Sequence, residues 1–374
     1  MEVKPGYKQT EAGVIPQEWD CSKLGNFISL QRGHDLTWRD RREGDVPVMG
    51  SAGQNGYHHT AIAKGPGVVL GRSGASFGQA HYCDQDFWPH NTALYVTDFR
   101  GNDPRFVFYF LKSIDFSRHN SGGAQQSLTR NFIYPILVGV PTLPEQRVIA
   151  EALSNVDTLL RGLDRLITKK RDLKQAAMQQ LLTGQTRLPG FHGKWEVKRL
   201  GDVCRITTGK KDVNEGNPNG QFPFFTCSRS HTYSDSYSFD TEAILIAGNG
   251  EVGNLNYYKG KFEAYQRTYV LSAFSVPVKY LWQQLNAYLA ETLGLGKVGS
   301  SIPYIKKENL VSFEYKSPQD NDEQTAVAAV LSDMDAEVAV LEARRDKTRN
   351  LKLAMMRELL TGKTRLVPAG TAHA

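Results

Sequence analysis

The sequence predicts two copies of a mixed α/β (α+β) domain, each followed by a long helix, with the two helices packed on each other. Three observations predict this. A long helical stretch is written twice, each copy follows a glycine-, aromatic- and β-branched-rich segment long enough for one domain, and those segments resemble each other. The expected division is a domain over 1–143, a helix over 144–184, a second domain over 185–318, a second helix over 319–362 and a tail over 363–374.

The helical repeat reads PEQRVIAEALSNVDTLLRGLDRLITKKRDLKQAAMQQLLTGQTRL up to Leu188 and NDEQTAVAAVLSDMDAEVAVLEARRDKTRNLKLAMMRELLTGKTRL up to Leu366. Glu145-Gln146 recurs as Glu323-Gln324, Leu153-Ser154 as Leu331-Ser332, Asp157 as Asp335, and Leu181 to Gly184 as Leu359 to Gly362. The shift stays at 178 residues throughout, as from 145 to 323, so the repeat has no gap. No proline interrupts either copy, Gly162 is the one internal glycine, and good helix formers dominate. Ile149, Leu153, Val156, Leu160, Leu163 and Ile167 alternate steps of four and three, the seam of a coiled coil. Val327, Leu331, Met334, Val338 and Leu341 repeat that seam until Arg345 makes it polar, and an apolar face is expected to resume at Leu173, Ala177 and Leu181 and at Leu351, Met355 and Leu359. Each copy ends at Thr-Gly, the residue type favoured just past a helix. At about 1.5 Å per residue, ~37 residues span roughly 55 Å, too long for one compact domain. Matching stripes therefore predict that the helices partner each other.

The domain segments repeat more loosely. Trp19 to Gly25 recurs as Trp195 to Gly201, and a strand ending at Gly33 recurs as one ending at Gly209. Val46-Pro47-Val48 matches Phe222-Pro223-Phe224, and Val68 to Gly74 matches Ile244 to Gly250, an apolar strand entering a glycine-rich loop. Phe106 to Lys112 and Val278 to Tyr288 read as short aromatic helices. Shared positions are mostly apolar, glycine or proline, and the loops differ: one scaffold with two surfaces.

A formal net charge of +6 is mild and compatible with a polyanion. No run of eighteen apolar residues marks a membrane span, and the N-terminus has no apolar signal core. Cys21, Cys83, Cys204 and Cys227 are scattered, which fits a reduced cytoplasm and argues against zinc.

No motif for catalysis is found. GRSGASFG over 71–78 lacks the lysine and spacing of a nucleotide loop, and Asn217-Pro218-Asn219 is no adenine-methylation motif. His58-His59 has no third ligand at useful spacing and reads as a solvent-facing pair; no metal site is expected. The second-copy counterparts of Asp84 and Asp86 fall around Gly260 and Phe262, so the two acids imply no shared acid machinery. Candidate DNA contacts are softer. Arg32, Arg39, Arg41 and Arg42 cluster in the first domain, with Lys210, Lys211, Lys306 and Lys307 in the second. Polar loops add Arg72, Ser73, Ser76, Gln79, His90, Asn91, Gln125, Gln126, Ser127 and Arg130, then Asn249, Arg267, Ser300 and Ser301. Gln and Asn suit adenine edges and Arg suits guanine.

With these residues in view, the chain resembles the specificity (S) subunits of type I restriction-modification enzymes. The resemblance rests on the two helix entries (Pro144-Glu145-Gln146 and Asp322-Glu323-Gln324), both L-L-T-G-x-T-R-L exits, the lead-ins at Trp19 and Trp195, and Tyr7 to Trp19. One departure is Asn321-Asp322 in place of Leu143-Pro144. The resemblance implies two target recognition domains, each reading half of a bipartite duplex DNA target. It implies antiparallel helices that form a coiled-coil spacer and dock two methyltransferase (M) subunits, with restriction (R) subunits completing the complex. It implies a non-catalytic chain without a cofactor of its own, S-adenosylmethionine, ATP and Mg belonging to the partners. From the residues alone, a coiled-coil scaffold whose domains bind proteins, and an enzyme with an unrecognised nuclease site, remain open.

Overall fold

The computed structural model describes residues 4–120, 126–294 and 304–366. The chain divides into two compact units: residues 1–164 with 343–374, and residues 165–342. Two long helices, Leu143–Leu181 (α2) and Asn321–Leu359 (α4), each give one half to each unit. A shorter helix precedes each, Pro104–Ser113 (α1) and Val278–Thr292 (α3). Both short helices carry the aromatic residues that the sequence placed there. Asp103 caps α1 by accepting from the Arg105 and Phe106 amides.

In the first unit, an antiparallel sheet runs in the order Ser29–Arg32, Ala93–Asp98, Gly67–Gly71, Ala80–Cys83. A second sheet orders Gly53–His58, Val46–Gly50 and Trp88–Pro89, the last pair parallel. Asp20–Lys23 pairs with Leu137–Val140 at the domain's base. The core gathers Trp19, Leu30, Leu70, Phe106 and Leu111, then Ile149 and Leu153 from the start of α2 and Met356, Leu359 and Leu360 from the end of α4.

The second unit repeats this plan with one change. Its strands join in a single six-stranded sheet ordered Arg205–Thr208, Thr268–Ser272, Phe239–Ala247, Leu255–Ala264, Phe222–Phe225, Thr232–Ser234. Leu255–Ala264 is ten residues long and reaches both neighbours. Its counterpart in the first unit breaks at Asp84–Asp86, where Asp86 accepts from the Gly65 amide (2.9 Å) and binds Lys64 (2.7 Å). Trp195–Arg199 pairs with Glu314–Pro318 at the base. Tyr280, Leu281 and Leu285 of α3 pack with Met178, Leu181 and Leu182 from the end of α2 and Val327 and Leu331 from the start of α4.

Within each unit the helix halves run antiparallel, as their ion pairs require. Asp157 meets Lys352 (2.5 Å) in the first unit, and Asp335 meets Lys174 (2.5 Å) in the second, the same pair one repeat on. Asp164 lies 3.9 and 3.5 Å from Arg345 and Arg349, and Lys170 lies 2.6 Å from Glu337. The seam positions are unevenly buried. Ile149, Leu153, Leu163, Ile167, Val327 and Leu331 are buried, whereas Val156, Leu160, Met334, Val338 and Leu341 are half-buried.

The expected apolar face returns at Leu181 and Leu359, with Ala177 and Met355 half-buried, but fails at Leu173 and Leu351, where the next residue turns inward. Leu173 is 47% exposed and Leu351 is 56% exposed. The inward positions are Lys174, Met178 and Leu181, and Thr348, Lys352, Met356 and Leu359. Two causes act together. A straight helix drifts by about 20° per heptad against a strict seven-residue pattern. The lysine stems also lie along apolar surface while their ammonium groups reach Asp335 and Asp157.

Each helix entry is latched by the exit of the other helix. Arg365 donates through Nε and Nη2 to Glu145 (2.5 and 2.9 Å), and Arg187 donates through Nε (2.9 Å) and Nη2 to Glu323. This planar two-point pairing is the geometry that suits arginine to a carboxylate. The glycine after each exit has positive φ, +75° at Gly184 and +71° at Gly362. A Cβ at Gly362 would also stand 2.5 Å from Pro16, so its smallness is needed twice. The second long helix begins at Asn321 although proline is missing there, because Asp320 accepts from the Asp322 amide (2.8 Å).

Candidate nucleic-acid interface

In the first unit, the strand Gly67–Gly71 runs into a tight turn over 72–78. The turn closes by Gly78 N–H donating to the Gly71 carbonyl and Gly71 N–H to the Gln79 carbonyl, both at 2.8 Å. A Cβ at Gly71 would lie 2.0 Å from the Ser76 carbonyl, so this crossing requires glycine. A second loop is stitched to the turn. Ser73 and Ser127 form a bridge, and the Leu128 amide donates to the Arg72 carbonyl (2.8 Å).

This stitching gathers residues that are distant in sequence. Arg32, Arg72 and Arg130 line one open cleft of about 540 Å³, together with His34, Asp35 and Leu128. Arg72 donates to the Asn91 carbonyl (3.4 Å), Asn91 donates to Asp35, and Arg32 lies 3.9 Å from the same carboxylate. His90 is held by Thr92 (3.0 Å). With three guanidinium groups and one carboxylate in its lining, the cleft keeps a positive excess, which suits phosphate or a guanine edge.

The other candidates are placed elsewhere. Gln79 and Gln126 line a neighbouring cleft of about 530 Å³ with His81 and Lys112. Ser76 lies in the short 3-10 turn Gly74–Ser76 and lines neither cleft. Arg41 is tied to the Asn55 carbonyl (2.8 Å), while Arg39 is exposed. Gln125, Ser300 and Ser301 lie outside the described residues.

In the second unit the matching turn holds Asn249 half-buried, and the Gly248 amide donates to the carbonyl of the exposed Arg267 (2.9 Å). The pair Lys210 and Lys211 separates. Lys210 is exposed, but Lys211 donates to Ser234 (3.0 Å) and Ser236 (2.7 Å) and lies 3.7 Å from the buried Glu263. Its charge is spent on a buried carboxylate rather than offered to solvent. Lys306 and Lys307 are exposed.

The residues that could have suggested catalysis have structural partners. Asp84 pairs with Arg105 (3.1 Å) and Asp86 with Lys64, so the two acids do not share a site. His58, expected in solvent, is buried on its strand and accepts from the Arg42 amide (3.1 Å) beside Trp88; burial holds its pKa low. His59 is exposed. Among the described residues no three His, Cys, Asp or Glu side chains form a metal-holding group. All four cysteines are free, and burial pushes the Cys204 thiol up to about 12, away from thiolate chemistry.

Comparison with known proteins decides what these paired surfaces belong to. The model of the type I restriction modification DNA specificity domain matches twice, over 16–169 and 192–348. The chain belongs to that family. It is a DNA specificity subunit with two target recognition domains, and in this family that subunit recognises DNA and does not catalyse. It is 35% identical to the type I restriction enzyme EcoDI specificity subunit of Escherichia coli over 45% of this chain, a match that spans 37% of that subunit. It is 20% identical to the MjaVIII specificity subunit of Methanocaldococcus jannaschii over 96% of both chains. The crystal structure of the S subunit of a type I restriction-modification system from M. genitalium has the same fold: TM-score 0.71 at 15% identity, covering 96% of this specificity subunit and 98% of that chain.

The sequence pointed to the arginines of the first cleft but not to Asp35, which joins Arg32 and Asn91, nor to the exposed Trp38 nearby. A tryptophan inside a polar turn was the available signal.

Proposed function

We propose that each unit reads one half of a bipartite duplex DNA target, and that the long helices set the tolerated half-site spacing and dock two methyltransferase subunits. One observation carries this reading: two domains of one plan bear different loop residues at the matching turn, Arg72-Ser73 in one and Gly248-Asn249 in the other. Linking two weak readers makes the second contact intramolecular, so modest half-site affinities combine into a strong one. Leu159, Leu166 and Leu173 are exposed at seven-residue steps along α2 and offer apolar surface for a docked subunit. In this reading S-adenosylmethionine, ATP and Mg are bound by the methyltransferase and restriction subunits, and the complex works in the reducing cytoplasm, consistent with four free cysteines.

The test is to co-express the chain with its methyltransferase partner and map methylated adenines across the genome. One motif with two short defined halves and a fixed gap is expected. A complex that forms but yields no bipartite motif would favour a scaffold whose domains hold proteins. Removing four residues within 163–182 shortens the helix by about one turn, ~5 Å or roughly one and a half base pairs. It should shift the tolerated gap and leave both half-site sequences intact; altered half-sites would refute the spacing role.

A further inference from the structure

Of five tryptophans, Trp19 is buried, Trp88, Trp195 and Trp282 are half-buried, and Trp38 is 80% exposed. An indole is seldom left in water. Trp38 does not hang on a slack segment. Ahead of it Leu36 is buried. The amides of Asp40 and Arg41 both donate to the Thr37 carbonyl (3.2 and 3.1 Å), and the Thr37 hydroxyl donates to Asp40 (2.6 Å). Behind it Arg41 anchors on Asn55. The turn is pinned on both sides and holds the ring outward.

The Arg39 guanidinium stacks over this ring, 5.3 Å from its centroid. Arg32 and Arg42 flank the turn. Of the nearby acids, Asp35 is engaged by Arg32 and Asn91 and Asp40 by Thr37, while Glu43 and Asp45 follow at the exposed end of the loop. An aromatic face with a stacked guanidinium can cover a base plane and meet the adjoining phosphate together. Proteins that unstack duplex DNA use apolar side chains as wedges in this way. Counting from Gly33 and Gly209, the second unit has Asn214 at this position, in the 3-10 turn Val213–Glu215.

We propose that the Trp38–Arg39 tip is a DNA wedge of the first domain: the indole enters a base step of that domain's half-site, and Arg39 moves onto the flanking phosphate. The proposal rests on the bipartite-reading function above. It goes further by naming the contact and confining it to one half-site.

The experiment uses the full chain assembled with its methyltransferase subunits, as wild type, Trp38→Ala, Trp38→Phe and Arg39→Ala. Each complex is titrated onto a fluorescent duplex carrying the mapped motif at several salt concentrations. Trp38→Ala should bind between about 5-fold and 150-fold more weakly, the range spanned by one base–aromatic stack, with an unchanged salt dependence. Trp38→Phe should retain most of the affinity. Arg39→Ala should lower the slope of log affinity against log salt by about one. 2-Aminopurine scanned through the first domain's half-site should brighten at one step with wild type and not with Trp38→Ala. Wild-type affinity for Trp38→Ala would overturn the wedge. So would weakened assembly with the methyltransferase subunits at unchanged DNA affinity, which would make Trp38 a protein contact. A wild-type complex that selects no bipartite duplex would refute the underlying function, and the wedge with it.

Discussion

The latch at the entry of α2 and the latch at the entry of α4 use the same residue types and differ in their support. Glu145 is fully buried and accepts from Arg365 twice and from the Trp19 indole (2.8 Å). Arg365 also reaches Glu18 (2.8 Å). Glu323, 1% exposed, accepts twice from Arg187, but among the described residues the Trp195 indole N–H finds no acceptor. Lys194 replaces Glu18, and Arg187 turns instead to the Gly193 carbonyl (2.7 Å). The duplication has kept the one bond set that a buried carboxylate cannot lose and let the neutral donor and second acid vary. A buried charge without its guanidinium costs about 3–5 kcal/mol, whereas one further hydrogen bond to that charge is worth about 1.5–3 kcal/mol.

The largest expected effect breaks this comparison directly. Arg187→Ala strips Glu323 of its guanidinium and should cost about 3–5 kcal/mol, the usual penalty for orphaning a buried charge. Arg365→Ala should cost roughly 1–2 kcal/mol less, because Glu145 keeps the Trp19 indole, a charge-assisted bond. Urea unfolding of both variants checks the order; equal losses would mean that the indole bond is worth nothing. A smaller effect sharpens the same point. Trp19→Phe should destabilise by about 1.5–3 kcal/mol, the worth of a hydrogen bond to a charged group. Trp195→Phe, which breaks no such bond, should cost under about 1 kcal/mol.

The smallest effect concerns pH. Burial works to raise the Asp157 pKa, but hydrogen bonds from Lys352 and Tyr109 and the lysine charge outweigh it and hold the carboxyl below its ordinary value. A depressed pKa contributes stability that is fully present above the unfolded value of about 4 and is lost as pH falls through the lower folded value. Asp157→Asn should remove that acid-dependent component, visible as a flatter stability profile as pH falls below about 4.

Much of the fold was legible because it is written as spacing. Two gapless helical copies and the strand-to-glycine turns carry their structure locally, so residues such as Leu153, Leu331 and Gly184 could be assigned from pattern alone. The helical stripe failed where pattern and geometry part. Leu173 and Leu351 satisfy a seven-residue register, but the helix drift and the buried Lys174 and Lys352 stems turn the next residues inward. The site was legible as composition rather than as geometry. Arg32, Arg72 and Arg130 could be named as basic loop residues, yet it takes the sheet to set Arg32 beside Arg72 and the Ser73–Ser127 bridge to add Arg130 to one cleft. Lys211 and His58 look like surface groups in sequence, but Lys211 is half-buried against Glu263 and His58 is buried.

The sequence by itself determined the duplication, the two long helices and the family, because each is a property of order along the chain: offset, periodicity and motif. Tertiary structure alone decided which charges stay free and which are consumed. Arg187 and Arg365 close on Glu323 and Glu145 across 136 and 220 residues, Lys211 is spent on Glu263, and Trp38 is held in water. Burial sets the cost of leaving a charge or an indole unpaired, and burial is a sum over neighbours that sequence distance does not report.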